Sequence, residues 1–366
     1  MNERLRDLMS GNWRGPTAAL LRAGLATGEI GYRAAVDWRN RRYDRGIDVH
    51  RAAAPVVSVG NITAGGTGKT PVVAMIAQHF HRRGVRVALL SRGYRSLEDS
   101  NNDGAPPATE NDEARVLARL CPGIPHRQQA DRVAGAAAAI RGWSSELLIL
   151  DDGFQHRRLA RDLDIVLIDA TNPFGHDHVL PRGLLREPVT ALRRADLILL
   201  TRVDAVPKQH VERLHDQLAT IAPEIPVADV IFPPVSLVNA SGRSLPLEAL
   251  EQSPILAFCG IGNPASFAAT LAQAGIHPAE PSAFPDHHHY RADDLTRLSH
   301  QARARNVAAA VTTMKDLVKI KRDTLPDPSN APLWAVETGC DIVSNKTAVL
   351  SRLDALITKT KIRRAA

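Results

Sequence analysis

Short apolar runs recur along the chain, and each is followed by a turn signal and then by a stretch with apolar positions at helical spacing. The runs at Val57–Val59, Val85–Leu90, Leu147–Leu150, Asp164–Asp169, Asp196–Leu200 and Val227–Phe232 are expected to be strands. Helices are expected over Thr70–Arg83, with Gly84 as its C-cap, and over Thr109–Leu120, Asp131–Gly142 and Glu212–Ile221. The polar stretch Arg95–Ala108 reads as a loop. Pro233-Pro234 interrupts the pattern and the Ser241-Gly242 turn follows, which places a domain boundary there. The pattern restarts with a strand at Ile255–Cys259, the turn Gly260-Ile261-Gly262-Asn263-Pro264 and a helix to Ala274. Strands at Asn306–Val311 and Pro332–Val336 and a helix at Ile342–Ile357 finish the chain, with a basic tail. Strand and helix alternate throughout, so both halves are expected to build parallel α/β sheets.

The region before the first strand is different. Residues 1–51 hold ten Arg against six acidic residues, and Leu20, Leu21, Leu25, Tyr32 and Val36 are interleaved at roughly helical spacing. Trp13 and Trp38 flank the segment, and Arg39, Arg41, Arg42 and Arg45 cluster at its end. A basic amphipathic helix with flanking Trp can lie in a membrane interface. A helix packed on the main domain with a solvated basic face fits the pattern equally well.

The densest chemical signal follows the first apolar strand. Gly65-Gly66-Thr67-Gly68-Lys69-Thr70 is a glycine-rich turn leading into a helix, the setting of a phosphate-binding loop. Thr63, Ala64, Gly65, Gly66, Thr67, Gly68, Lys69 and Thr70 are the expected nucleotide-binding residues. Lys69 would reach the β- and γ-phosphates and Thr70 would offer its hydroxyl to Mg²⁺. Thr63 stands where the strict pattern has its first glycine. The strand at Leu147 ends in Asp151-Asp152-Gly153, which puts carboxylates where such folds hold the metal, so Thr70, Asp151 and Asp152 are the metal candidates. Arg182 and Arg186 sit on a Pro/Gly-constrained loop suited to clamping phosphate. Asp112 is either a first-turn acid serving its helix or a carboxylate near the phosphate loop. The His287–His289 run is not read as a metal site, because adjacent residues rarely converge on one ion.

Composition narrows the partners. In 366 residues the formal charge is +7, which favours an anionic one, and aromatics are only 4%, too few for a base-stacking platform. Nucleic acid is therefore not an expected partner. Cys121, Cys259 and Cys340 are scattered, consistent with a reducing cytoplasm. No apolar run reaches transmembrane length.

Taken in order, the motifs resemble those of the tetraacyldisaccharide 4′-kinase family of the lipid A pathway. The resemblance is carried by Val59-Gly60-Asn61, the turn from Gly65 to Pro71, Ser91-Arg92-Gly93-Tyr94, Asp112-Glu113-Ala114, Asp151-Asp152-Gly153-Phe154-Gln155-His156, Leu184-Leu185-Arg186-Glu187-Pro188, Gly260–Pro264, Phe284-Pro285-Asp286-His287-His288 and Lys315-Asp316. The deviant Thr63 is itself family-like. Gly175-His176-Asp177-His178 departs from the Gly-Asn-Gly turn of the family and leaves the local loop geometry in doubt.

The resemblance implies ATP- and Mg²⁺-dependent phosphorylation of the 4′-hydroxyl of an acylated disaccharide 1-phosphate lipid, giving lipid IVA. It implies a P-loop NTPase-type parallel-sheet domain and a second, smaller α/β domain joined by a two-stranded linker. The corresponding division is a basic N-terminal segment (1–50), a kinase domain (51–232), a smaller domain with linker (233–345) and a C-terminal helix and tail (346–366). Asp112 is then the expected base, with His287 of the second domain orienting it when the domains close, and Lys69 and Arg186 neutralising phosphate. The protein would sit peripherally on the anionic cytoplasmic face of the inner membrane, with no obligate protein partner. The rival is a membrane-associated nucleotide switch of the partitioning ATPase type, which would need no second-domain dyad. Thr201-Arg202-Val203-Asp204 faintly resembles a guanine-reading motif, with Arg in place of Lys, and keeps a GTPase in view.

Overall fold

The computed structural model describes residues 3–93, 112–278 and 281–365. Helices α1 (Glu3–Ser10) and α2 (Pro16–Asp44) precede strand β1 (Val56–Asn61). There follow α3 (Lys69–His81), β2 (Val87–Ser91), α4 (Asp112–Leu120), β3 (His126–Gln128), α5 (Arg132–Trp143), β4 (Leu147–Asp151), β5 (Leu163–Asp169), β6 (Leu197–Thr201), α6 (Lys208–Ile221) and β7 (Val227–Ile231). The next stretch comprises β8 (Pro234–Val238), β9 (Ser244–Leu245), β10 (Ile255–Cys259), α7 (Pro264–Gln273), β11 (Ser282–Ala283), α8 (Ala292–Ala304), β12 (Ala309–Thr313), α9 (Met314–Ile320) and β13 (Leu333–Thr338). β14 (Asp341–Ile342) and α10 (Lys346–Ala365) end the chain. Two compact units result: residues up to Ile231 together with those from Ile342 onward, and Phe232–Asp341 between them.

In the first unit the strand order is β14-β7-β6-β5-β1-β4-β2-β3, and every pairing from β7 to β3 is parallel. β1, β4, β5 and β6 are buried at every position, so both faces are covered and an apolar run replaces an alternating one. β1 lies between β4 and β5, which puts the turn after β1 beside the carboxyl end of β4. That is where open parallel sheets bind ligands.

The second unit is a mixed sheet, not the all-parallel one expected. Its order is β11-β10-β12-β13-β8-β9, with β8 antiparallel to both β13 and β9. Pro234, read from the sequence as a break, is the first residue of β8, a place where a strand tolerates a missing N–H. The first unit runs to Ile231, before the two prolines and one residue short of the 232 given to the kinase domain. In its core Phe258, Leu271, Leu298, Val311, Leu317 and Leu333 are all buried.

Other boundaries shift for local reasons. β2 starts at Val87 because the N–H of Val85 is spent on the carbonyl of Phe80, closing α3. The closing helix begins at Lys346 and not at Ile342. Val343 N–H goes to the carbonyl of Asp229 and the Ser344 hydroxyl takes the N–H of Asp229, so the edge of β7 claims this backbone. At the variant turn, Gly175, His176 and Asp177 all adopt positive φ, between 54° and 65°. His and Asp tolerate that region better than most residues, so the left-handed path continues after Gly175 without a second glycine. Tyr94, the Arg95–Ala108 loop and the first residues of the Thr109–Leu120 helix lie outside the described residues.

α2 packs and is also exposed. Glu29 accepts the N–H of Val179 (3.0 Å), the Tyr32 hydroxyl donates to the Arg186 carbonyl (3.0 Å), and Asp44 pairs with Arg157 (2.7 Å). Asn40 donates to Glu187 at 2.9 Å. The opposite face shows Leu20, Ile30 and Trp38 at 76%, 72% and 63% exposure, so packing on the first unit accounts for one face of the helix only.

Candidate active site

Gly65 (φ 136°) and Gly68 (φ 85°) carry the chain through the turn between β1 and α3 in backbone conformations that side chains rarely allow. Gly68 is the N-cap of α3 and brings no side chain to it, so the first N–H groups of the helix keep their capacity for an anion. Lys69 is the first residue of α3 and Thr70 the second. The Lys69 ammonium lies 3.1 Å from Asn61 Oδ1 and 3.4 Å from Asp152 Oδ1.

Asp151 ends β4, buried; Asp152 follows with φ 55°, which turns its side chain out of the strand register. Arg186 Nη1 meets Asp152 Oδ2 at 2.8 Å and Oδ1 at 3.0 Å. Burial alone would raise the Asp152 carboxyl, but Lys69 and Arg186 outweigh it and hold the group below the usual carboxylate range. A carboxyl depressed on folding contributes stability above its unfolded pKa and loses it as pH falls through the folded one. The cluster is therefore intact at neutral pH and is lost only on acidification below the ordinary aspartate range.

Arg186 reaches this point through its backbone. Ala64 N–H donates to the Leu184 carbonyl and Arg186 N–H to the Ile62 carbonyl, both at 2.7 Å, and Thr63 bridges Leu185 antiparallel. The Leu184–Arg186 segment is thus a short strand laid along the entry to the phosphate loop. Arg182 is directed elsewhere: its guanidinium donates to the Met9 carbonyl at 3.2 Å. Asp112 is the first residue of α4, which packs on α3, with Gln78 donating to the Leu120 carbonyl. His287 belongs to the second unit, where it is exposed and has φ 58°. Its neighbours differ: His288 stacks on Phe284 and bonds Asp294 at 2.9 Å, and His289 is exposed.

Asn61, Gln155 and Arg132 had no role assigned from the sequence. Asn61 both accepts from Lys69 and donates to the Thr63 carbonyl, and Gln155 donates to the Asn61 carbonyl. A polar residue ending an apolar strand just before the glycine turn was the available signal. Arg132, 6% exposed at the start of α5, feels the charges of Asp151 and Asp152; burial, followed by Arg92, pushes it down to about 10. Nothing in an alanine-rich helix singled it out. Thr201 and Arg202 brace the loop itself. The Thr201 hydroxyl donates to the Thr67 carbonyl and Arg202 to the Gly66 carbonyl, both at 3.0 Å, and Arg202 also pairs with Asp169.

The donor set suits a hard cation. Among the described residues no three His, Cys, Asp or Glu side chains form a metal cage. A Mg²⁺ site built from one hydroxyl, one or two carboxylates and substrate phosphate needs no such cage. Thr70 and the buried Asp151 would provide those oxygens, with Asp152 already engaged by Lys69 and Arg186.

Comparison with known proteins identifies the family. The family model described as Tetraacyldisaccharide-1-P 4'-kinase matches residues 21–358. A tetraacyldisaccharide 4'-kinase from Anaeromyxobacter dehalogenans (strain 2CP-C) is 42% identical over 319 residues, covering 84% of each chain. One from Anaeromyxobacter sp. (strain K) is 39% identical and covers 94% of each. The crystal structure of LpxK from Aquifex aeolicus in complex with ATP superposes with a TM-score of 0.69 at 28% identity, over 93% of this chain and 99% of that one. With a phosphate loop, a paired strand-end carboxylate and an arginine delivered to both, the chain belongs to the tetraacyldisaccharide-1-phosphate 4'-kinase family.

Proposed function

We infer that the protein transfers the γ-phosphoryl group of ATP to the 4′-hydroxyl of a tetraacylated disaccharide 1-phosphate, giving lipid IVA. The observation that carries this reading is the meeting of Lys69, Asp152 and Arg186 at the glycine turn, in a chain of this family. Phosphoryl transfer is mostly positioning and charge stabilisation, and these are the groups for it. The backbone of Thr63–Gly68 cradles the phosphates, and Lys69 and Arg186 neutralise charge on the moving group. Thr70 and Asp151, with Asp152 beside them, would hold Mg²⁺, which when bound neutralises the β- and γ-phosphate oxygens. The partitioning-ATPase alternative has no comparable support in this family, and neither has a GTPase.

Asp112 is assigned as the base that accepts the sugar hydroxyl proton, with His287 in support. General-base catalysis is typically worth about 10²–10⁴-fold, so Asp112→Ala should lower kcat by that factor with γ-labelled ATP and lipid acceptor. Turnover within threefold of the parent would take Asp112 out of this role.

The exposed face of α2 is assigned to the anionic cytoplasmic surface of the inner membrane. No described helix is long and apolar enough to cross a bilayer. Leu20, Ile30 and Trp38 face outward, Arg41 and Arg42 stand in the last turn, and Arg42 lies 5.1 Å from the Trp38 ring centre. Replacing Leu20, Ile30 and Trp38 together by Glu should lower partitioning onto vesicles containing anionic lipid by at least tenfold, given about 1.5–3 kcal/mol per buried large apolar side chain. Unchanged sedimentation with vesicles would leave α2 a packing element alone.

A further inference from the structure

We propose that Asp316 is a positioning residue for the reaction, fixing through the backbone of Gly260 the turn that presents His287; this rests on the supporting role assigned to His287. Asp316 is fully buried in the second unit, in the first turn of α9. Its Oδ2 accepts the N–H of Gly260 at 3.0 Å and the hydroxyl of Thr313 at 2.7 Å. Lys319 lies 3.5 Å from Oδ1. The carbonyl of the same Gly260 accepts the N–H of His287 at 3.1 Å. One peptide segment is therefore held from one side by the carboxylate and holds the histidine turn on the other.

The surroundings leave this segment no slack. A Cβ on Gly260 would stand 3.1 Å from Asp316 Oδ1, from His288 Cβ and from the Tyr290 hydroxyl. Phe284, His288 and Tyr290 pack ring against ring around it, with centroids 4.8 to 5.1 Å apart, and His288 is tied to Asp294. The His287 backbone sits at φ 58°, a left-handed conformation that His tolerates better than most residues and that the bond from its N–H to Gly260 holds in place. The fold explains the location. β10 leads through α7 to β11 on one side and β12 leads through α9 to β13 on the other, so a topological switch point lies between β10 and β12. Gly260 follows β10 and Asp316 follows β12. A buried carboxylate there, whose partners are the Gly260 N–H, the Thr313 hydroxyl and the buried side chain of Lys319, acts by placement.

The experiment is a double-mutant cycle in the full-length protein, measuring kcat and KM for ATP and for tetraacyldisaccharide 1-phosphate, with thermal melting alongside. Asp316→Ala should lower kcat about 10²-fold, the cost of a misplacement near 1 Å, with both KM values within about twofold of the parent. Asp316→Asn, which keeps an acceptor for Gly260, should recover most of the loss. In a His287→Ala background Asp316→Ala should cost no more than about twofold further. Should Asp316→Ala fail to fold, Gly260→Ala takes its place in the cycle, since it removes no polar group and only displaces the turn. Equal losses with and without His287, or a kcat within threefold of the parent, would overturn the proposal. If His287→Ala alone keeps parental kcat, the role given to His287 is what has failed, and that is seen before Asp316 is touched.

Discussion

Lys69→Ala should lose about 10³-fold or more in phosphoryl transfer while the protein stays folded. The magnitude follows from removing a pre-placed cation from a water-poor site, where a single donor is commonly worth 10²–10³-fold and a full charge more. The fold should survive because Asp152 keeps its two contacts to Arg186, and Asn61 keeps its bond to the Thr63 carbonyl. Lys69→Arg should not restore activity. The slot between Asn61 Oδ1 and Asp152 Oδ1 fits a compact ammonium, and a planar guanidinium in the same place would run into both. Single-turnover transfer from γ-labelled ATP, with melting curves on the same samples, decides the matter. A Lys69→Ala protein with turnover within tenfold of the parent would remove Lys69 from the chemistry.

The largest stability effect is expected at Glu187, which no catalytic argument touches. Its carboxylate is wholly buried and accepts from Arg194 at 2.7 and 2.9 Å and from Asn40 at 2.9 Å, with Arg39 at 3.6 Å. Arg194 also lies over the Phe154 ring at 3.7 Å. Taking away the anion leaves a half-buried guanidinium without its partner and frees the end of α2. Breaking such a pair costs about 3 kcal/mol or more, which for a unit of this size lowers Tm by about 6–12 °C. Thermal unfolding of Glu187→Ala against the parent measures it. A shift under 2 °C would mean that water replaces the carboxylate at little cost.

The sequence made the sheet of the first unit legible because its central strands are buried on both faces and read as unbroken apolar runs. The phosphate loop and Asp151-Asp152 were equally plain, since glycine and carboxylate at strand ends have few other uses. What it hid falls into two kinds. β3 and β14 are two or three residues long and pair with strands distant in the chain, and β9 is a two-residue arm folded back on β8, so no periodicity marks them. The second kind is pairing at long separation. Arg182 and Arg186 looked alike as loop arginines, yet one serves the Met9 carbonyl and the other Asp152. Only the strand-like register of the Leu184–Arg186 segment separates them.

That register sets a limit on how the chain can vary in length. The Leu184–Arg186 segment is bonded on one edge to Ile62 and Ala64 and on the other to His178 and Leu180, with Leu185 buried in the core. Adding or removing one residue between Val179 and Leu185 would exchange the inward and outward sides, so that a guanidinium met the hydrophobic interior and a leucine met Asp152. Relatives that keep the activity should therefore accept changes of length before Gly175 or after Pro188, and none in the few residues between.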